Sequence, residues 1–524
     1  MADYDFVIAG AGHNSLITAA YLAKAGYACV VLDAREIPGG GASTEEILGP
    51  GYWVDTCSTG HTLIQVNPLI RNDELGLVSK YGLRYVDPDP VAQVAFPDGE
   101  PFTMWLDFDK TCAEIARFSE KDADAYRRLV TEYDEVKSLI GQVRFRPVGF
   151  GPSTEDLLAA HPRGEVWQRR SMMTAREVIL REFESPHMRA FMAWISLQTA
   201  VPLDAPGSGI LAYSLVSARQ ARSWSLPVGG SGQLIDALVG FLEDAGAEIL
   251  CNRMVSELIL EGGRCVGVRT TDGEEFRGSK GVVSTIHVKR LLDMAPAESW
   301  GEGFTYGVET FHPGTPFFAG YFATTAPPVF PTPDGGRSAV SAGLAPWIED
   351  AVQHGRDVYD GKFVTDPGWL LVATPTLVDR GRAPEGTHTV KMVTFNTYDA
   401  DGQGPHHWDE IKEAEMDKLL DHFRKFVPTF TDDLITARLV KSPLDFERMN
   451  PHMVGGTPHG GDRGLIFSGS QRPAPGWAQH RLPIDGLYQT GGTTHPGGSI
   501  TGAPGRNAAM VILQDLGTTI EAVL

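Results

Sequence analysis

Gly10-Ala11-Gly12-His13-Asn14-Ser15 stands between a short apolar run, Phe6-Val7-Ile8-Ala9, and a stretch with Leu16, Ile17, Ala20 and Ala23 at helical spacing. The hexapeptide has the form GxGxxG with Ser in the third glycine's place. The first glycine permits a tight turn, and the second lets the backbone approach a pyrophosphate. A small third residue lets helix and strand pack closely. A helix starting there offers phosphates its unpaired N–H groups and positive dipole end. Asp33 follows Gly10 by 23 residues and closes a second apolar run, Cys29-Val30-Val31-Leu32. A carboxylate there can accept hydrogen bonds from ribose hydroxyls. GxGxxG alone also fits a plain glycine-rich turn, but strand, turn, helix, strand and acid in this order predict a dinucleotide site. NAD and FAD both carry the ADP half that such a unit reads, so the unit does not separate them.

Two further glycine-rich runs bear on that choice. Gly39-Gly40-Gly41-Ala42-Ser43-Thr44 follows just after the acid and either passes close to a second part of an elongated ligand or is a flexible loop. Near the C-terminus, Gly491-Gly492-Thr493-Thr494-His495-Pro496-Gly497-Gly498-Ser499-Ile500-Thr501-Gly502 leads into a helix pattern over 506–516. Its backbone N–H groups and helix end would face a ligand and favour negative charge, as on a reduced isoalloxazine. Two imidazoles sit where a proton could be moved near neutral pH: His61, in Ser58-Thr59-Gly60-His61, and His495. Each also reads as a structural histidine. The aromatic cluster Phe304, Tyr306, Phe311, Phe317, Phe318, Tyr321 and Phe322 fits an apolar tunnel or, more plainly, a sheet core. His406-His407 reads as an exposed loop. His452 and His459 lie in a glycine-rich stretch without metal-ligand spacing.

Several elements must position these residues. Residues 4–33 read as one β-α-β unit, and 110–222 as helical. A helix over 234–245, a strand over 247–252 and a hairpin about Gly262-Gly263 follow. Residues 304–400 read as strand-rich, with strands at 317–324, 370–374 and 388–395. Met416, Leu419, Leu420, Phe423 and Val427 then repeat at helical spacing. The 524 residues suffice for three or four domain-sized units at ~150 residues each. The order of patterns suggests two interleaved domains instead of separate ones.

The net charge of −21 argues against nucleic-acid binding and against broad adhesion to anionic membranes. The five cysteines form no CxxC pair, so a zinc ribbon, a disulfide framework and a dithiol redox centre are unsupported. No run of about 18 apolar residues is present, and the first strand begins too early for a signal peptide. The expectation is a cytoplasmic protein without a transmembrane segment, with peripheral membrane contact left open.

The N-terminal run through Thr44-Glu45-Glu46, the Pro443-Leu444-Asp445-Phe446-Glu447-Arg448 segment, the Gly486-Leu487-Tyr488 lead-in and the ending HPGG…GxxGRNAA resemble the phytoene-desaturase-like FAD-dependent oxidoreductases. Within these, the likeness is to the branch of pyridine nucleotide-disulphide oxidoreductase domain-containing proteins, and it covers nearly the whole chain. It implies an α/β fold. A Rossmann-like, amine-oxidase-like FAD-binding domain (1–95, 223–295 and 480–524) would interleave with a mixed β-sheet substrate domain (296–479) and a helical cap (96–222). It implies FAD as cofactor, with Gly10, Gly12, Asn14 and Ser15 at the pyrophosphate, and Asp33, Ala34 and Arg35 about the adenosine ribose. Gly39, Gly40, Gly41 and Ala42 would lie along the phosphates and ribityl chain, Val255 at the adenine, and Gly492, Gly498, Ser499 and Ile500 near the flavin. Many relatives have Glu where this chain has Asp33. No metal is implied.

The expected function is dehydrogenation of a C–C bond of an apolar or cyclic small molecule by hydride transfer to flavin N5, with oxygen or a quinone as external electron acceptor. His61 and His495 are the candidate proton-handling residues. The alternatives are a flavin amine or alcohol oxidase, a redox-neutral double-bond isomerase, and a flavin-stabilised interaction protein without turnover.

Overall fold

In the computed structural model, which describes residues 4–366 and 368–524, the first apolar run is the strand Tyr4–Ala9. It lies between two parallel neighbours, Cys29–Leu32 and the end of Glu275–Ser284. Glu248–Leu250 and Leu487–Gln489 extend the sheet in parallel at its two sides. Both faces are covered, so these strands read as continuous apolar runs and not as alternations. Phe6, Ile8, Cys29 and Val31 face the helices His13–Lys24, Gly232–Asp244 and Ala503–Asp515. Val7, Ala9, Val30 and Leu32 face the other side. There the hairpin at Gly262-Gly263 is the first turn of an antiparallel meander, Val255–Glu261, Arg264–Thr270 and the start of Glu275–Ser284.

The second sheet is mixed, with seven strands. Its order is Ile435–Lys441, Phe317–Thr324, His388–Phe395, Leu370–Ala373, Ser341–Leu344, Ala92–Ala95, Pro101–Met104. The strand Ala92–Ala95 pairs in parallel with Ser341–Leu344, so the end of the N-terminal segment lies in this sheet. Side chains alternate between its faces. Phe318, Phe322, Leu370, Val372, Val390 and Met392 pack against the apolar stripe of Trp408–Arg424.

That alternation bears out the plainer core reading for much of the aromatic cluster, while Phe317 lines a cavity. Phe318 and Phe322 belong to this helix-facing core. Phe304 and Phe311 pack beneath the first sheet, and Tyr306 is exposed. Residues 302–309 form a helix and not a strand, because Phe304, Val308 and Phe311 recur at helical spacing and bury together.

Helices between Phe108 and Arg222 form the cap, with Trp167, Phe191, Trp194 and Tyr213 in its core. The cap is bolted to the second sheet: Trp194 Nε1 donates to the Leu370 carbonyl at 2.9 Å, and Trp369 Nε1 to the Trp194 carbonyl at 3.1 Å. Asp55 and Arg382, each 2% exposed and 2.8 Å apart, form a buried ion pair. Although burial opposes it, the Arg382 guanidinium and the Lys391 ammonium hold the Asp55 carboxyl below its usual range. Among the described residues no helix is long and apolar enough to cross a membrane.

Candidate active site

One cavity is lined by the first sheet, the second sheet and the cap. Its first half is lined by glycines of three loops together with Asp33 and several arginines. Gly10 has φ +106, and a Cβ there would sit 2.1 Å from Thr285 Oγ1. Gly12 caps the helix His13–Lys24, which has no side-chain cap, and a Cβ on Gly12 would meet nothing within 4 Å. Open space beside uncapped helical N–H groups suits an anion. Asp33 Oδ2 accepts from the Ala11 N–H at 2.6 Å, and Oδ1 from the Arg35 N–H at 2.9 Å. Each oxygen keeps a lone pair free for a ribose hydroxyl. Burial raises the Asp33 pKa. Asn14, Ala34, Arg35, Gly40, Gly41 and Val255 complete this half, and Gly492, Gly498, Ser499 and Ile500 border it from the C-terminal loop. A Cβ on Gly498 would lie 2.1 Å from the His459 carbonyl. Ser499 holds φ +85, a strained backbone of the kind found at ligand clamps.

Three residues expected along the ligand do not face the cavity. Ser15 Oγ donates to the Gly12 carbonyl at 2.9 Å and is buried beneath the turn. The Gly39 N–H donates to the Ala11 carbonyl at 2.8 Å and shapes the turn from behind. Ala42 is in the core of the first sheet. The C-terminal helix also differs from expectation. Its first N–H groups go to Thr501 Oγ1 and Asn14 Oδ1, so they are satisfied within the protein. Gly505 permits that contact, since a Cβ there would lie 2.3 Å from the Asn14 carbonyl.

The second half of the cavity is made of side chains. Register places Ser341, Ala373, Lys391 and Tyr321 in one row across four strands, and Gly343, Leu371, Val393 and Ala319 in the next. These rows point away from the helix-backed face. Leu371, Lys391, Val393 and Phe317 line the cavity; Gln198, Leu215, Arg219 and Trp224 face them from the cap side. The Lys391 ammonium donates to the Cys57 carbonyl and Thr59 Oγ1, both at 2.7 Å, and to the Asp55 carbonyl at 3.3 Å. Burial brings its pKa down to about 8, against the pull of Asp55. A lone lysine inside the otherwise uncharged strand His388–Phe395 is the sequence signal that marks it.

Neither expected histidine reaches the cavity. His61 is fully buried, with Nε2 2.5 Å from Ser231 Oγ and Nδ1 3.4 Å from the Tyr85 hydroxyl. His495 Nε2 donates to the Val143 carbonyl at 3.0 Å, tying the C-terminal loop to the cap. The histidines that do line it are His13, His452 and His459. Burial lowers His13 and His452 to about 4 and His459 to about 3. His459 lies where the two halves meet. Its carbonyl abuts Gly492 and Gly498, and its ring is edge-on to Phe317 with centroids 5.8 Å apart.

A family model described as flavin containing amine oxidoreductase matches residues 16–513. The chain belongs to that family. It is 29% identical to mouse pyridine nucleotide-disulfide oxidoreductase domain-containing protein 2, over 98% of this chain and 94% of that one. It is 27% identical to a limonene dehydrogenase chain of Castellaniella defragrans, over 98% and 95%. It is 24% identical to the lycopene-forming phytoene desaturase of Pseudescherichia vulneris, over 97% and 99%. Among solved structures it shares its fold with an oxidoreductase from Methanosarcina mazei (TM-score 0.58, 16% identity, 98% and 100% covered). It shares it also with putrescine oxidase bound to putrescine (TM-score 0.61, 14% identity, 98% and 99% covered). This flavoenzyme is therefore an FAD-dependent oxidoreductase of the phytoene-desaturase-like kind. Its cavity fits FAD on its own terms, with an uncapped helix end for phosphate, a carboxylate for ribose, and a glycine-lined loop where a ring can approach backbone.

Proposed function

We propose that this flavoenzyme dehydrogenates a C–C bond of an apolar or cyclic small molecule to C=C. One observation carries the reading. The only carboxylate on the cavity wall among the described residues is Asp33, in the first half, while the second half presents Leu215, Phe317, Leu371 and Val393 with the cations Arg219 and Lys391. An amine, cationic at neutral pH, would meet repulsion there. A carbon skeleton meets apolar walls that exclude water and hold it in place. The relatives named limonene dehydrogenase and phytoene desaturase support the same reading.

In this reading Gly10, Gly12 and Asn14 hold the pyrophosphate, Asp33 the ribose, and Val255 the adenine. Gly40 and Gly41 pass along the phosphates, and Gly492, Gly498, Ser499 and Ile500 border the ring. FAD bound there would supply a two-electron acceptor able to take a hydride from one carbon, with oxygen or a quinone as the external electron acceptor. The neighbouring carbon must lose a proton. In the neutral fraction that its pKa of about 8 leaves near working pH, Lys391 Nζ receives it once the long 3.3 Å contact to the Asp55 carbonyl is given up. His459, neutral throughout that range, fixes the skeleton's edge where the two halves of the cavity meet.

The test is the visible spectrum of the holoenzyme under anaerobic titration with saturated cyclic ketones, isoprenoids and amines. Bleaching by a ketone or isoprenoid, with a new C=C in the product, is the expected result. Bleaching by amines alone would overturn the reading.

A further inference from the structure

Four arginines line the cavity, and three have a carboxylate partner. Arg35 pairs with Glu45 at 2.8 Å, Arg253 with Glu274 at 2.8 Å, and Arg290 with Glu447. Arg219 has none among the described residues, although it is only 2% exposed. It stands in the last turn of Leu211–Arg222. Nη1 donates to Ser341 Oγ at 3.1 Å, Nη2 donates to Gln198 Oε1, and the guanidinium carbon lies 4.8 Å from the Trp224 ring centroid. Its Nε has no partner, and neither does the Gln198 Nε2 that its neighbour's bond leaves over. Burial pulls the group down to about 9, which keeps it charged at neutral pH. A buried guanidinium held only by neutral groups is costly, and a neutral side chain could tie the cap to Ser341 as well. Lys391, by contrast, has three oxygen acceptors for its three protons.

We propose that Arg219 and Gln198 bind a carboxylate carried by an otherwise apolar substrate, so that this flavoenzyme acts on apolar carboxylic acids in preference to plain hydrocarbons. The inference rests on the dehydrogenase reading above and names its substrate class. Arg219 and Gln198 both line the cavity, and a guanidinium beside an amide matches the two oxygens of a carboxylate once the side chains turn their unpartnered N–H groups to it. Ser341 and Lys391 are in register two strands apart, about 10 Å at sheet spacing. A short carbon skeleton spans that interval, anchored at Arg219 and exposed to Lys391.

The experiment titrates the holoenzyme with cyclohexanecarboxylate, decanoate and the matching neutral amides, and reads the flavin difference spectrum. The carboxylates should bind at least roughly 30-fold more tightly than the amides. Arg219→Gln should abolish that preference and leave amide binding in place. Arg219→Lys should keep part of it. If Arg219→Gln does not yield holoenzyme, Gln198→Glu replaces it as the probe. An internal carboxylate beside the guanidinium should compete out the carboxylates alone. Equal binding of acids and amides to the wild type overturns the inference, as does a preference that survives both variants. If neutral isoprenoids bleach the flavin while acids bind no better than amides, this inference fails and the dehydrogenase reading stands. If amines alone bleach it, the dehydrogenase reading fails.

Discussion

The two halves of the cavity are built on opposite principles. The nucleotide half is chiefly glycine backbone: Gly10, Gly12, Gly40, Gly41, Gly492 and Gly498 contribute absence of side chains, and Asp33 is the only acid among the described residues there. The substrate half is side chain: two rows on one face of a sheet, a cap opposite, and two cations of which one is fully hydrogen-bonded and one is not. A backbone-lined site recognises what every member of a family shares. A wall of side chains can differ from member to member without disturbing the fold, so it is where specificity resides.

The sharpest way to break this contrast is to put a methyl group into the nucleotide half. Gly10→Ala should yield no stable holoenzyme, since it meets Thr285 Oγ1 at 2.1 Å and a φ of +106 that Ala resists. Gly12→Ala should behave differently. Its Cβ meets no protein atom within 4 Å, and its φ of −73 is ordinary. The apoprotein should melt as the wild type does, while FAD affinity drops roughly 10–100-fold. Calorimetry and flavin titration separate the two effects. Equal FAD affinity in Gly12→Ala would mean that the pyrophosphate lies elsewhere.

The nucleotide half was legible because it is local. Strand, turn, helix, strand and acid occupy residues 4–33, and that run folds as read, with Ser15 tucked under the turn as a packing residue. The substrate half was not legible, for two physical reasons. Its wall residues come from strands paired across the chain, and a strand buried on both faces shows no polar alternation to say which side chains face the ligand. His388–Phe395 is buried throughout, and its polar residues His388, Thr389, Lys391 and Thr394 do not alternate. The histidines failed for the second reason. His61 follows the first glycine-rich loop and His495 sits in the C-terminal one, but loop conformation decides which way a ring turns. Those loops turn His61 onto Ser231 and His495 onto Val143, while a separate glycine-rich stretch about 455–461 brings His459 to the cavity.

Lys391→Met tests the substrate half at its proton-handling point. Turnover should drop roughly 10²–10⁴-fold with FAD affinity unchanged, since Lys391 contacts the 55–59 segment and not the glycine turns. The wild-type rate should rise with pH through about 8 as Lys391 loses its proton, and this limb should vanish in the variant. Stopped-flow reduction across pH reads both. A variant that keeps the limb assigns the titration to another group.

The smallest effects should come from His61→Gln and His495→Gln, and they sharpen the contrast by what stays constant. Both rings are structural, so turnover at pH 8 should stay within roughly threefold, while each lost hydrogen bond costs about 1 kcal/mol of stability. Their titration adds a signature. Burial holds His61 at about 3 and His495 at about 4, against ~6.5 in the unfolded chain. The unfolded state therefore takes up protons first as pH falls. The stability these residues carry is complete above pH ~6.5 and drains away between there and their folded values. His13, His452, His459 and His480 add in the same direction. Melting temperature should be flat from pH 8 to 7 and fall steeply below pH 6, less steeply in either glutamine variant. If instead turnover fell 100-fold in His61→Gln with flavin retained, proton handling would run behind the nucleotide half, and the division between a backbone site that holds and a side-chain site that reacts would not stand.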